Sequence, residues 1–139
     1  KPKASGYGRL YKSKAQTIST SVDVRGKNMD DAVHFYKSLG FEEAFRAAGH
    51  EGNGPVVFMK LKGLMVELYQ RENTAGRPGA IDHIAIDVTD IAAAFDMVQK
   101  MEYPVLEKGI CFLPFWQNGV RFFTICGPQG ERVEFSQIL

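Results

Sequence analysis

Polar and apolar residues run through this chain in one order, and then run through it again. Residues 16–24 alternate around the β-branched Ile18, Val22 and Val24 and predict a strand. Asn28 can cap the segment that follows, in which Met29, Ala32, Val33, Tyr36 and Leu39 recur at helical spacing until Gly40 stops it. Residues 41–48, 55–61 and 64–70 read as three more strands, parted by the turn-forming stretches G-H-E-G-N-G and K-G. After the linker-like R-E-N-T-A-G-R-P-G the order repeats. A strand over 81–88 leads to Asp90 as a helix cap, and Ile91, Ala94, Phe95 and Val98 make an apolar helical face. Further strands are expected near 104–110, 119–126 and 131–137, with turns at W-Q-N-G and G-P-Q-G.

The expected fold class is therefore α+β, with two βαβββ modules in one chain. Each module offers a sheet with a helix on one face and leaves the other face free. Two such sheets would curl into a half-open, barrel-like surface around a cavity. The boundaries that follow are a basic tail over 1–15, a first module over 16–72, a linker over 73–79 and a second module over 80–139, one structural domain overall. Repetition at this scale implies a pseudo-twofold pairing, so equivalent positions of the two copies can converge on one site. Each copy ends on a strand with a glutamate at its centre, Glu67 in L-M-V-E-L-Y and Glu134 in R-V-E-F. Aligning S-V-D-V with A-I-D-V sets Ser19 of the first copy opposite His83 of the second.

Composition narrows the class of function. The 139 residues carry a net charge of +1 and are 45% hydrophobic and 24% charged, ordinary values for a soluble globular chain large enough to bury a core. No apolar run reaches the roughly 20 residues of a membrane span. The start, K-P-K-A-S-G-Y-G-R-L-Y-K-S-K, has no apolar core of a secretory signal. Its basic residues are outweighed by the near-neutral total, which argues against a nucleic-acid partner. Cys111 and Cys126 lack zinc spacing and sit among apolar residues, as reduced, buried thiols of a cytoplasmic protein would.

Three segments carry a resemblance to a known family. They are H-F-Y-K-S-L-G-F (34–41), D-H-I-A-I-D-V-T-D (82–90) and F-F-T-I-C-G-P-Q-G-E-R-V-E-F (122–135). In this order they resemble the first-helix signature, the opening strand with its cap, and the closing hairpin of the vicinal oxygen chelate superfamily. That superfamily includes glyoxalase I, extradiol dioxygenases, methylmalonyl-CoA epimerase, and fosfomycin and bleomycin resistance proteins. The resemblance implies metal ligands from the first and last strand of each module, which here are Ser19, Glu67, His83 and Glu134. One imidazole and two carboxylates suit a divalent ion such as Zn, Ni, Mn, Co or Fe. Ser19 departs from the pattern, because a serine hydroxyl is a poor ligand at neutral pH, and its same-face neighbours Thr17 and Ser21 are no better donors.

The residues support the implied site independently in one respect. A carboxylate in an apolar strand is costly to bury unless a metal, an arginine or a histidine partners it, and Glu67 and Glu134 both stand in such strands. The reading that follows is a glyoxalase-like, metal-dependent lyase or isomerase acting on a small substrate with adjacent oxygen atoms. Glu134 or Glu67 would be its general base. A metal-free protein that sequesters a small molecule, of the bleomycin-resistance type, is the alternative that Ser19 favours. Ring-cleaving dioxygenase chemistry ranks third, since its iron triad needs two histidines and this set has one. Trp116, Phe112, Phe115, Phe122 and Phe123 are candidate pocket-lining aromatics, and Arg46, Lys60, Lys108 and Arg121 candidate anion binders. His34 and His50 read as exposed or structural. A homodimer is expected.

Overall fold

The computed structural model describes residues 21–49 and 54–139. The chain divides between Arg71 and Glu72 into two compact units. The basic tail, Ser19 and His50 lie outside the described residues.

The first unit comprises β1 (Ser21–Gly26), α1 (Met29–Ser38), β2 (Glu42–Ala47), β3 (Val56–Leu61) and β4 (Leu64–Gln70). Its sheet runs β1-β4-β3-β2, with β1 parallel to β4 and the remaining pairs antiparallel. α1 forms where the pattern placed it. The Asn28 side chain accepts from the backbone N–H of Asp31, and Asp30 and Asp31 in the first turn and Lys37 in the last complement the helix dipole. Its end is a Schellman motif, in which Gly40 N–H donates to Lys37 O and Phe41 N–H to Tyr36 O, with Gly40 at φ +100°. Val57 and Met59 of β3 lie opposite Leu68 and Val66 of β4, and all four are buried. They make the core face of this sheet, and Met29, Ala32, Val33, Phe35 and Tyr36 make the buried face of α1. Each fully buried Val, Leu, Met or Phe side chain among them contributes roughly 1.5–3 kcal/mol.

The second unit comprises β5 (Ile84–Asp87), α2 (Ile91–Lys100), β6 (Cys111–Leu113), β7 (Val120–Cys126) and β8 (Arg132–Ile138). The sheet order β5-β8-β7-β6 repeats that of the first unit, again with the first strand parallel to the last. Asp90 caps α2 by accepting from Ala93 N–H, and Gln137 Oε1 accepts from Ile91 N–H at the same end. Phe123 and Phe135 stack on the core face, and Phe95 of α2 meets Phe123 edge-on. Neither ten-residue helix, nor any other among the described residues, is long and apolar enough to cross a membrane.

Two expected strands of this unit are corrected. Residues 104–110 form no strand, only an isolated bridge between Val105 and Ile125. They still cover the edge of β7. Leu106 N–H donates to Thr124 O, Cys126 N–H donates to Pro104 O, and the Glu107 carboxylate accepts from Thr124 N–H at 2.7 Å. Pro104 has no N–H to give a ladder, and a side chain stands where a strand would offer a carbonyl. The opening strand is shorter than 81–88. It runs over Ile84–Asp87 only, opposite Val133–Ser136 of β8.

Candidate functional site

Side chains on a strand alternate between its two faces, so the helix-covered core face of each sheet identifies its other face. In the first unit that face carries Glu67 at the centre of β4, half-buried, with Phe58 beside it on β3. In the second unit it carries Glu134, flanked by Thr124 on β7 and Ala85 on β5. The two glutamates therefore hold equivalent places in equivalent sheets. The same registers correct the pairing of Ser19 with His83. Ala85 pairs with Glu134, and Asp23 with Glu67, so two residues before each stand His83 and Ser21. The helix caps Asn28 and Asp90 keep this spacing. The first-module counterpart of His83 is thus Ser21, and the position still holds a serine.

Within the second unit the structure brings His83 and Glu134 together. His83 Nε2 lies 3.0 Å from Glu134 Oε2, and His83 Nδ1 lies 2.9 Å from Asp82 Oδ2. Arg132 Nη1 donates to Asp82, at 3.1 Å from Oδ1 and 3.4 Å from Oδ2. Glu134 is the most enclosed of the four, with 19% of its side chain accessible against 39% for His83. The hydrogen bond to His83 holds the Asp82 carboxyl below its ordinary value of 3.8. Desolvation opposes this, and the charge of Arg132 adds to it.

This arrangement fits a bound cation. A neutral imidazole has one N–H, yet both ring nitrogens of His83 face carboxylate oxygens. The set is completed by a second ring proton or by a positive ion seated between Nε2 and Oε2. Among the described residues, no three His, Cys, Asp or Glu side chains are grouped so as to hold an ion by themselves. Arg132 takes up both oxygens of Asp82, which leaves His83 and Glu134 as the candidate ligands of the second unit.

Sequence reasoning missed Asp82 and Arg132. Arg132 stands two residues before Glu134 and so shares its face, a signal present in R-V-E-F. Asp82 was hidden because neighbours in a strand point apart. The shortened β5 frees 82 and 83 from that alternation.

The other candidates separate. Phe123 is core, whereas Phe112, Phe115 and Trp116 are exposed and Phe122 is half-buried. Trp116 adopts φ +57° in its turn. Arg46 is paired with Glu43. Lys60 lies opposite Met65 on the face of Glu67, and Arg121 lies opposite Gln137 on the helix-covered face. Lys108 and His34 are exposed. Cys111 and Cys126 are free thiols, half-buried rather than buried. A cleft of about 330 Å³ at the start of α1, lined by Lys27, Asn28, Arg46 and Gln70 among others, contains neither glutamate.

Comparison with known proteins places this geometry in context. The sequence model of the Glyoxalase/Bleomycin resistance protein/Dioxygenase superfamily matches residues 19–135. A glyoxalase family protein from Enterococcus faecalis superposes with a TM-score of 0.71 at 20% identity, over 84% of this chain and 94% of that one. The genomically encoded fosfomycin resistance protein FosX from Listeria monocytogenes, solved with Mn(II) and a sulfate ion, superposes with a TM-score of 0.66 at 11% identity, over 89% and 93%. An uncharacterized protein of Bacillus subtilis, YwbC, is 42% identical over 59 residues, a stretch covering 42% of this chain and 44% of that relative's length.

Proposed function

The chain belongs to the glyoxalase/bleomycin resistance protein/dioxygenase superfamily, and we propose that within it this protein is a metal-dependent lyase or isomerase acting on a small molecule with adjacent oxygen atoms. The observation that carries the reading is His83 held between two carboxylates, with Nδ1 2.9 Å from Asp82 Oδ2 and Nε2 3.0 Å from Glu134 Oε2. His83 and Glu134 would hold the metal in this proposal. A divalent ion bound there supplies Lewis-acid polarisation of the substrate's oxygens. Glu134 also serves as the general base. Its carboxylate removes a proton from the carbon next to the polarised carbonyl and returns it to the product. The proposed protein works in the cytoplasm as a homodimer.

Protein purified without chelator should hold a divalent ion by elemental analysis, and His83→Ala should lose it. Against small α-hydroxycarbonyl or α-dicarbonyl compounds, Glu134→Gln should abolish turnover. Turnover retained in a metal-loaded Glu134→Gln protein removes the glutamate as base.

Ser21 favours a second reading. The counterpart of His83 is a hydroxyl that binds metal poorly, which suits a protein that sequesters its ligand without chemistry. Failure of the purified protein to take up Zn(II), Mn(II), Ni(II) or Co(II) would decide for it.

A further inference from the structure

Four side chains of the second unit form a closed circuit that begins and ends on β8. Arg132 donates to Asp82, Asp82 faces His83 Nδ1, and His83 Nε2 faces Glu134, two residues along from Arg132. We propose that Asp82, clamped by Arg132, is the positioning residue of this site: it keeps the ring proton of His83 on Nδ1 and aims the Nε2 lone pair at the place shared with Glu134. This inference rests on the metal-binding reading above.

Three observations carry it. Asp82 and His83 precede β5, which begins at Ile84, so the alternation that would send neighbouring side chains to opposite faces does not act on them. An adjacent carboxylate can then reach the ring, and does so at 2.9 Å. Next, Asp82 is itself fixed. Arg132 lies within 3.1 and 3.4 Å of its two oxygens, although the two residues are far apart in sequence. Finally, the guanidinium separates the roles of the two carboxylates flanking the ring. It occupies the oxygens of Asp82 and offsets their charge, which leaves Glu134 as the carboxylate open to a cation. An imidazole whose far nitrogen donates to a carboxylate is fixed in tautomer and orientation and is a more basic ligand. Loss of such a partner weakens metal binding about 10- to 100-fold.

The test uses the full-length protein with Zn(II) as the probe, read by calorimetry and by ¹⁵N–¹H NMR of histidine-labelled protein. In zinc-loaded wild type, His83 should show an Nδ1 proton that exchanges slowly with water. Asp82→Ala should bind zinc about 10- to 100-fold more weakly and lose the slow exchange. Arg132→Gln should weaken binding in the same direction, and the double variant should be less impaired than the two effects added. Asp82→Glu should recover part of the loss. Unchanged melting temperatures separate these effects from loss of fold. Zinc bound equally by wild type and Asp82→Ala, with the slow proton retained, overturns the positioning role and leaves the metal site standing. No zinc bound by wild type overturns the metal reading and this inference with it.

Discussion

Glu107 does with its side chain what a neighbouring strand would do with its backbone. Its carboxylate accepts the N–H of Thr124, a residue with 6% of its surface accessible and the cross-strand neighbour of Glu134. A buried N–H left without an acceptor costs about 1–3 kcal/mol. Glu107→Ala should therefore destabilise the protein by that order in urea or thermal unfolding, while Glu107→Gln, which keeps an acceptor oxygen, should cost less. Equal losses for the two would mean that the charge or the packing of Glu107, not this hydrogen bond, matters. The same residue shows why the edge of β7 was misread from sequence. Alternation marks residues that could form a strand, but it does not report that a carboxylate has taken an acceptor position in the ladder.

The two helices test the repetition at the level of elements. α2 ends as α1 does, with Glu102 N–H donating to Gln99 O and Tyr103 N–H to Val98 O. The residue that must turn left-handed is Gly40 in the first module and Glu102, at φ +60°, in the second. A side chain in that conformation costs roughly 1 kcal/mol, so Glu102→Gly should raise stability and Gly40→Ala should lower it by similar amounts. A Glu102→Gly protein that melts no higher than wild type would contradict this account of the cap. The helices, their caps and strand β4 were legible because each depends on local chemistry: Asn28 and Asp90 as acceptors, Gly40 as a stop, apolar spacing within one turn. The pairing of Ser19 with His83 was not. It rested on the likeness of V-D-V to I-D-V, whereas the parallel register of β1 with β4 and of β5 with β8 sets Ser21 opposite His83. Register is fixed by which backbones meet, and local sequence does not state it. His83 and Glu134 were legible as candidates by residue type, and the structure sets them 3.0 Å apart. Asp82 and Arg132 became visible only once β5 ended short of them.

Across the whole chain, one topology is built twice but the chemistry is divided unequally. Both units carry a glutamate at the centre of the last strand, and the second alone has a histidine at the position two residues before its cross-strand neighbour. Each unit taken alone could offer an ion its own glutamate. The inequality predicts one ion per chain, because Ser21 gives the first unit a weak donor where the second has an imidazole, and soft or borderline divalent ions prefer nitrogen to a neutral hydroxyl. Titration with Co(II), followed by its visible absorption, should therefore saturate at one ion per chain. Glu134→Gln should weaken binding by tenfold or more, the cost of roughly 1.4 kcal/mol or greater for a lost charged donor, without lowering the stoichiometry. His83→Ala should remove binding at any accessible concentration. Full affinity in Glu134→Gln would mean that His83 and solvent hold the ion without it, and the glutamate would then act as general base alone, a role that turnover of the same variant tests.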